Sequence, residues 1–176
     1  MTEPEVSLYI AMKYIRSGEA IRDVTVSVDG AHIRTKNTVH FDIADFMSRN
    51  GYEKVYDGDN RWQGEYRNGN YPHSIIVVSK SGIGDVTIAL NSGKTLYVES
   101  KKIRHGSGGE YPAMREAIGQ VMTGCPDNSG VIPVVAVPYS EKSAELSRKW
   151  SDNRRIRSAG ICFMLVHDNG NIEFVG

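Results

Sequence analysis

Cysteine is scarce in this chain. There are two in 176 residues, Cys125 and Cys162, with no CxxC spacing, which leaves no framework of disulfides and no zinc-ribbon pattern. Each sits in or beside an apolar stretch, and two thiols are expected rather than a bridge. The five histidines are scattered, and no HExxH pair is present. No apolar run approaches the roughly 18 residues of a membrane span. The opening MTEPEVSLYIAMKYIRSG is acidic at its start and interrupted in its apolar positions, unlike a secretory leader. These absences predict a cytoplasmic protein with no membrane partner. Charge of one sign is lacking too: 21 basic residues balance 21 acidic ones, so a whole-surface polyanion trap is excluded, although a local basic strip is not. There is no internal repeat and no low-complexity tail.

What remains is an ordinary globular composition, 40% hydrophobic, at a length that supports a real core. Residues 7–16 read as a short helix, with Leu8, Ala11, Met12 and Ile15 on one face. VTVSVDGAHIRTKNTVHF carries two alternating pieces around Asp29-Gly30, a hairpin turn signal. FDIADFMSRNG reads as a second helix ended by Gly51. Residues 57–73 are rich in Gly, Asn and Asp and read as a long loop with at most a little extended structure. SIIVVS (74–79) suits a buried strand. A helix is expected over 111–124, a buried strand over 131–138, a charged helix opened by Ser140 over 140–158, and two strands over 161–167 and 171–176. The order implies an α/β fold with a mixed sheet and helices on both faces.

GDVTIALNSGKTLYVESKK (84–102) carries the chemistry. A three-residue loop Asn91-Ser92-Gly93 puts glycine at the left-handed position. Leu90 then pairs with Lys94, Ile88 with Leu96 and Val86 with Val98, and Asp85 falls opposite Glu99. This register separates Val86, Ile88, Leu90, Leu96 and Val98 from Asp85, Thr87, Ala89, Thr95, Tyr97, Glu99 and Lys101. A two-residue loop would set Asp85 opposite Ser100 instead. Two opposed carboxylates repel. A shared proton, a cationic side chain or a bound divalent cation relieves them, and Lys101 supplies one positive charge against two negative. The plain alternative is a solvated hairpin face.

Asp85 at the start of one strand, Glu99-Ser100-Lys101 on the next, and REAIGQVMTG in the helix that follows resemble the PD-(D/E)xK nuclease superfamily, also called restriction-endonuclease-like. Gly84 stands where that family commonly has proline. The resemblance spans about residues 41–167. It implies an αβββαβ core with a central mixed sheet flanked by helices, formed by residues 41–176, with residues 1–40 as an N-terminal helix and hairpin extension. It implies a Mg²⁺- or Mn²⁺-dependent nuclease acting on nucleic acid, DNA before RNA. Asp85, Glu99 and the Ser100 carbonyl would hold the metal, Lys101 would assist the attacking water, and Gln120 would position substrate or water. Some members add an acid from the first core helix; Asp42, Asp45, Glu53 and Glu65 are the candidates here. A homodimer fits such an enzyme, with residues 1–40 as its interface.

Lys102, Arg104 and His105 lead from the catalytic strand into a glycine-rich loop and are expected to meet the phosphate backbone, with a flexible solvated connection as the alternative. Arg154, Arg155 and Arg157, with Lys149 before them, form a second basic cluster, which a helix end explains as well. Trp62, Tyr66 and Tyr71 interleave with Arg61 and Arg67; packing of the loop onto the sheet is expected before base stacking. Two other readings stand beside the nuclease. One is a catalytically silent module of the same fold that binds nucleic acid or a protein partner. The other, a Ser-Lys hydrolase on Ser100 and Lys101, is disfavoured because adjacent strand residues point to opposite faces.

Overall fold

The computed structural model describes residues 1–103 and 108–176. In chain order the elements are α1 (Glu3–Arg16), β1 (Val24–Ser27), α2 (Gly30–Ile33), β2 (Arg34–Thr35), β3 (Thr38–Val39), α3 (Ile43–Arg49), β4 (Glu53–Asp57), β5 (Gly64–Arg67), β6 (Ile75–Val78), β7 (Val86–Ala89), β8 (Thr95–Ser100), α4 (Glu110–Gly124), β9 (Val131–Pro138), α5 (Glu141–Ser151), α6 (Arg154–Ser158), β10 (Cys162–Val166) and β11 (Ile172–Val175). The protein is α/β, with one large mixed sheet flanked by helices.

That sheet has nine strands in the order β11-β10-β9-β8-β7-β1-β6-β5-β4. β1, β7 and β8 are successive antiparallel neighbours, β9 runs parallel to β8, and β10 runs parallel to β9. On its other side β1 pairs in parallel with β6. The apolar runs of β9 and β10 explain why helices are needed on both faces. Val134, Ala136, Met164 and Val166 join the core under α1 and α3, while Val135, Val137, Phe163 and Leu165 join the one under α4 and α5.

The first 40 residues, expected as an extension outside the core, supply its central strand and its main packed helix. Val24 and Val26 of β1 are fully buried. Helix α1 buries Val6, Leu8, Ile10, Ala11, Met12 and Ile15 across β1, β7, β8 and β9. Each of the larger side chains contributes about 1.5–3 kcal/mol by leaving water. Helix α1 also starts earlier than its apolar periodicity indicated. Thr2 caps it, with Glu5 N–H donating to Thr2 Oγ1 at 3.3 Å and Thr2 N–H donating to Glu5 Oε2 at 2.6 Å, and Pro4 sits in the first turn.

The hairpin expected at Asp29-Gly30 does not form. Asp29 instead caps the short α2, accepting the Ala31 N–H at 2.9 Å, and β1 finds its partners in β6 and β7. The small hairpin of this region is β2–β3. The long charged helix over 140–158 is two: Asn153 accepts N–H groups from Arg155 and Ile156 and starts α6 anew. Within 57–73, β5 pairs with both β4 and β6, so the stretch is less loop-like than its composition indicates. Tyr66 is buried, and Trp62 and Tyr71 pack against the core, as the packing reading expected. Cys125 and Cys162 are free thiols.

Candidate active site

The β7–β8 hairpin adopts the three-residue loop. Leu90 N–H donates to the Lys94 carbonyl at 2.8 Å, Gly93 N–H to the Leu90 carbonyl at 3.0 Å, and Gly93 has φ +80°. Val86 pairs with Val98, Ile88 with Leu96, and Ala89 with Thr95. The regular ladder ends one pair short of Asp85 and Glu99. Asp85 N–H donates to the Val98 carbonyl at 2.8 Å, and its carboxylate oxygen Oδ2 accepts the Ser100 N–H at 2.7 Å. Asp85 is thus tied by main chain and side chain to the strand that carries Glu99 and Lys101.

Gly84 lets the chain enter at this point. Its φ is +71°, and a Cβ there would lie 3.0 Å from the Tyr97 ring. Proline, fixed near −65°, cannot adopt that conformation.

Asp85, Glu99, Lys101 and Gln120 all line one cavity of about 590 Å³. Gln120 reaches it from α4. The rest of the lining comes from α1, from the end of β1 through α2 (27–32), and from the 79–84 segment before β7. Burial and then the neighbouring Glu99 push the Asp85 carboxyl up to about 7. Burial also raises Glu99, with the Tyr97 hydroxyl and Lys101 opposing it. Burial alone would lower the Lys101 ammonium. The carboxylates of Glu3 and Glu116 outweigh it, and the net shift is upward.

Glu3 is the acid that sequence reasoning missed. It is 8% exposed, and its two oxygens face two nitrogen groups: Lys101 Nζ at 3.3 Å from Oε1 and His32 Nδ1 at 2.7 Å from Oε2. Glu116 of α4 holds the same Lys101 Nζ at 3.3 Å. The Thr2-x-x-Glu5 capping box was the available signal, because it places Glu3 inside a helix. None of the four acids first considered lines the cavity. Asp42 caps α3, Asp45 pairs with Arg49, Glu65 is held by Arg67 and Ser74, and Glu53 lies on the edge strand β4.

Ser100 points to the α1 side, fully buried, and accepts a hydrogen bond from the Ser7 hydroxyl at 2.9 Å. Lys102 is exposed beside the site. Arg104 and His105 lie outside the described residues. The second basic cluster sits on the exposed α6, with Arg157 paired to Asp152.

Among the described residues no three His, Cys, Asp or Glu side chains form a cluster able to hold a metal ion. The donors at Asp85 and Glu99 are two hard oxygens short of positive charge. They fit a Mg²⁺-type ion that keeps several waters or takes phosphate oxygens, not an ion held in an all-protein cage. No helix among the described residues is long and apolar enough to cross a membrane. No family model, no curated protein and no solved structure matches the chain.

Proposed function

We propose that this protein is a metal-dependent nuclease that hydrolyses phosphodiester bonds, with DNA as its first substrate class. The observation that carries the reading is the convergence of Asp85, Glu99, Lys101 and Gln120 on one cavity, with the Asp85 carboxyl driven up by burial and by Glu99. The connectivity supports it as well: with the elements between β1 and β7 set aside as an insertion, α1-β1-β7-β8-α4-β9, with an antiparallel β1/β7/β8 and a parallel β8/β9, is compatible with an αβββαβ core.

Asp85 and Glu99, with the Ser100 carbonyl, are the residues to hold Mg²⁺ or Mn²⁺. Such an ion supplies Lewis-acid polarisation of a phosphate and acidifies water. Lys101, fixed by two carboxylates, places a positive charge where the phosphate gains negative charge. Gln120 and the exposed Lys102 orient the strand. The Ser100 N–H fixes the rotamer of Asp85, so one ligand is set before any ion arrives.

The test is incubation with supercoiled plasmid, single-stranded DNA and RNA in Mg²⁺, Mn²⁺ or EDTA. Cleavage is expected only with metal, and Asp85→Ala and Lys101→Ala should each lower it about 100-fold or more. Equal cutting by wild type and both variants would assign the activity to a contaminant and end this reading. A second reading, a silent module that binds nucleic acid, draws on the tight pairing of Lys101 with Glu3 and Glu116. Binding with no cleavage under any metal would favour it.

A further inference from the structure

His32 stands on α2, outside the acid-x-lysine hairpin, yet lines the same cavity as Asp85, Glu99 and Lys101. Its Nδ1 lies 2.7 Å from Glu3 Oε2. An ionised carboxylate only accepts, so its place beside Nδ1 favours the proton on that nitrogen. In the neutral ring the lone pair then sits on Nε2, which makes no hydrogen bond among the described residues. Carboxylate, imidazole and a free basic nitrogen in that order are the parts of a general base held in one tautomer. The other nitrogen base of the site, Lys101, is occupied: its ammonium pairs with Glu3 and with Glu116. The other titratable and charged groups that line the cavity with it are Glu3 from α1, Asp29 at the start of its own helix, Lys80 from the segment before β7, and Asp85, Glu99 and Lys101 from the hairpin.

We propose that His32 is the general base of the nuclease and that Glu3 is its positioning residue. The inference rests on the nuclease reading and assigns the base within it. A water proton passes to His32 Nε2 as the water oxygen bonds to phosphorus. The bond from phosphorus to the leaving oxygen breaks, its electron pair stays with that oxygen, and the oxygen takes a proton from solvent. The imidazolium then returns its extra proton to solvent. Lys101 stays an ammonium throughout, and Glu3 links the two groups so that the base and the phosphate-facing charge are set by one carboxylate.

The experiment uses the full chain with Mg²⁺ and a DNA substrate. His32→Ala should lower kcat about 100-fold with KM little changed, and added imidazole should restore part of the rate. Imidazole should restore nothing in Asp85→Ala. His32→Gln, which keeps bulk and polarity, should be as slow as His32→Ala while melting like wild type. Without any turnover, ¹⁵N shifts of the His32 ring at about pH 8, above the ordinary imidazole range, should report the Nδ1–H tautomer, and Glu3→Gln should weaken that preference. Wild-type kcat in His32→Gln, absence of imidazole rescue, or an Nε2–H tautomer would overturn the assignment while Asp85→Ala remained dead. A wild type that cuts nothing removes the nuclease reading itself, and the base with it.

Discussion

Glu3 Oε1 lies 3.3 Å from Lys101 Nζ, which joins the first turn of the first helix to the end of a central strand. Both side chains are largely buried, so the pair is short of solvent screening, and neither charge is easily left alone. Glu3→Gln leaves Lys101 with Glu116 alone and removes the carboxylate that orients His32. The expected outcome is a kcat lowered about tenfold to 100-fold with KM near wild type, read in steady-state DNA cleavage. A fully active Glu3→Gln would mean that the pair is structural only.

Asp85 gives the protein a pH dependence opposite to that of an ordinary salt-bridged aspartate. Its carboxyl is raised from 3.8 to about 7 by burial and by Glu99. Below 3.8 it is protonated in the folded and the unfolded chain, and the full stability is present. As pH rises from there to about 7, the unfolded chain releases the proton more readily, and stability is lost across that window. Asp85→Asn escapes the loss. It should match wild type in urea unfolding at about pH 4 and exceed it at about pH 8, by on the order of 4 kcal/mol. Mg²⁺ should raise the Tm of wild type at pH 8 and leave Asp85→Asn unchanged. A variant weaker than wild type at pH 8 would show that the carboxylate is not strained.

Ser7 and Ser100 form a buried hydroxyl pair between residues 93 positions apart. Removing one hydroxyl leaves the other unsatisfied beneath α1. Ser7→Ala and Ser100→Ala should each cost about 1–3 kcal/mol. The double variant should cost less than their sum, because it leaves no orphan. Chemical denaturation of the four proteins checks this, and strict additivity would place water rather than each serine as the other's partner.

Gly84 is a position that proline cannot occupy, because its φ is +71°. Gly84→Ala strains a left-handed residue and presses a methyl group against the Tyr97 ring, for a loss of at least about 1 kcal/mol. Gly84→Pro should fail to give a cooperative thermal transition. A Gly84→Pro protein that melts normally would mean that the entry to β7 adopts another conformation.

The local chemistry of the hairpin was readable because its information is local. Gly93 fixes the turn, the turn fixes the register, and alternation checks it, which brings Asp85, Glu99 and Lys101 together from a single stretch. Helix α4 and strands β9, β10 and β11 were readable for the same reason, through apolar periodicity and bounding turns. The place of β1 was not. Val24-Thr25-Val26-Ser27 says strand but not which partners, and Asp-Gly beside it points to a nearby hairpin. The actual partners are β6 and β7, chosen by burial of Val24 and Val26 at the centre of the sheet. Glu3 was hidden by the same long-range packing: nothing near it in sequence says that α1 starts against Lys101. At Asn153 the side chain accepts two backbone N–H groups and starts a new helix inside a charged run that reads as one.

The central seat of β1 also dictates an order of events in folding. The segment 28–85 separates β1 from β7 in sequence, and bringing those two strands together across a loop of that length costs roughly 4 kcal/mol before their contacts are made. α1 and β1 are therefore synthesised well ahead of the strands beside them: β6 is the first partner made for β1, and its other edge and the apolar face of α1 wait until β7 and β8 have been made. That waiting segment is the part of the chain most in need of protection during translation. The same closure brings Glu3 and His32 to the hairpin, so the complete cavity is assembled only when the longest-range pairing has formed, and a chain stalled before that step holds the acid-x-lysine strand without its neighbours.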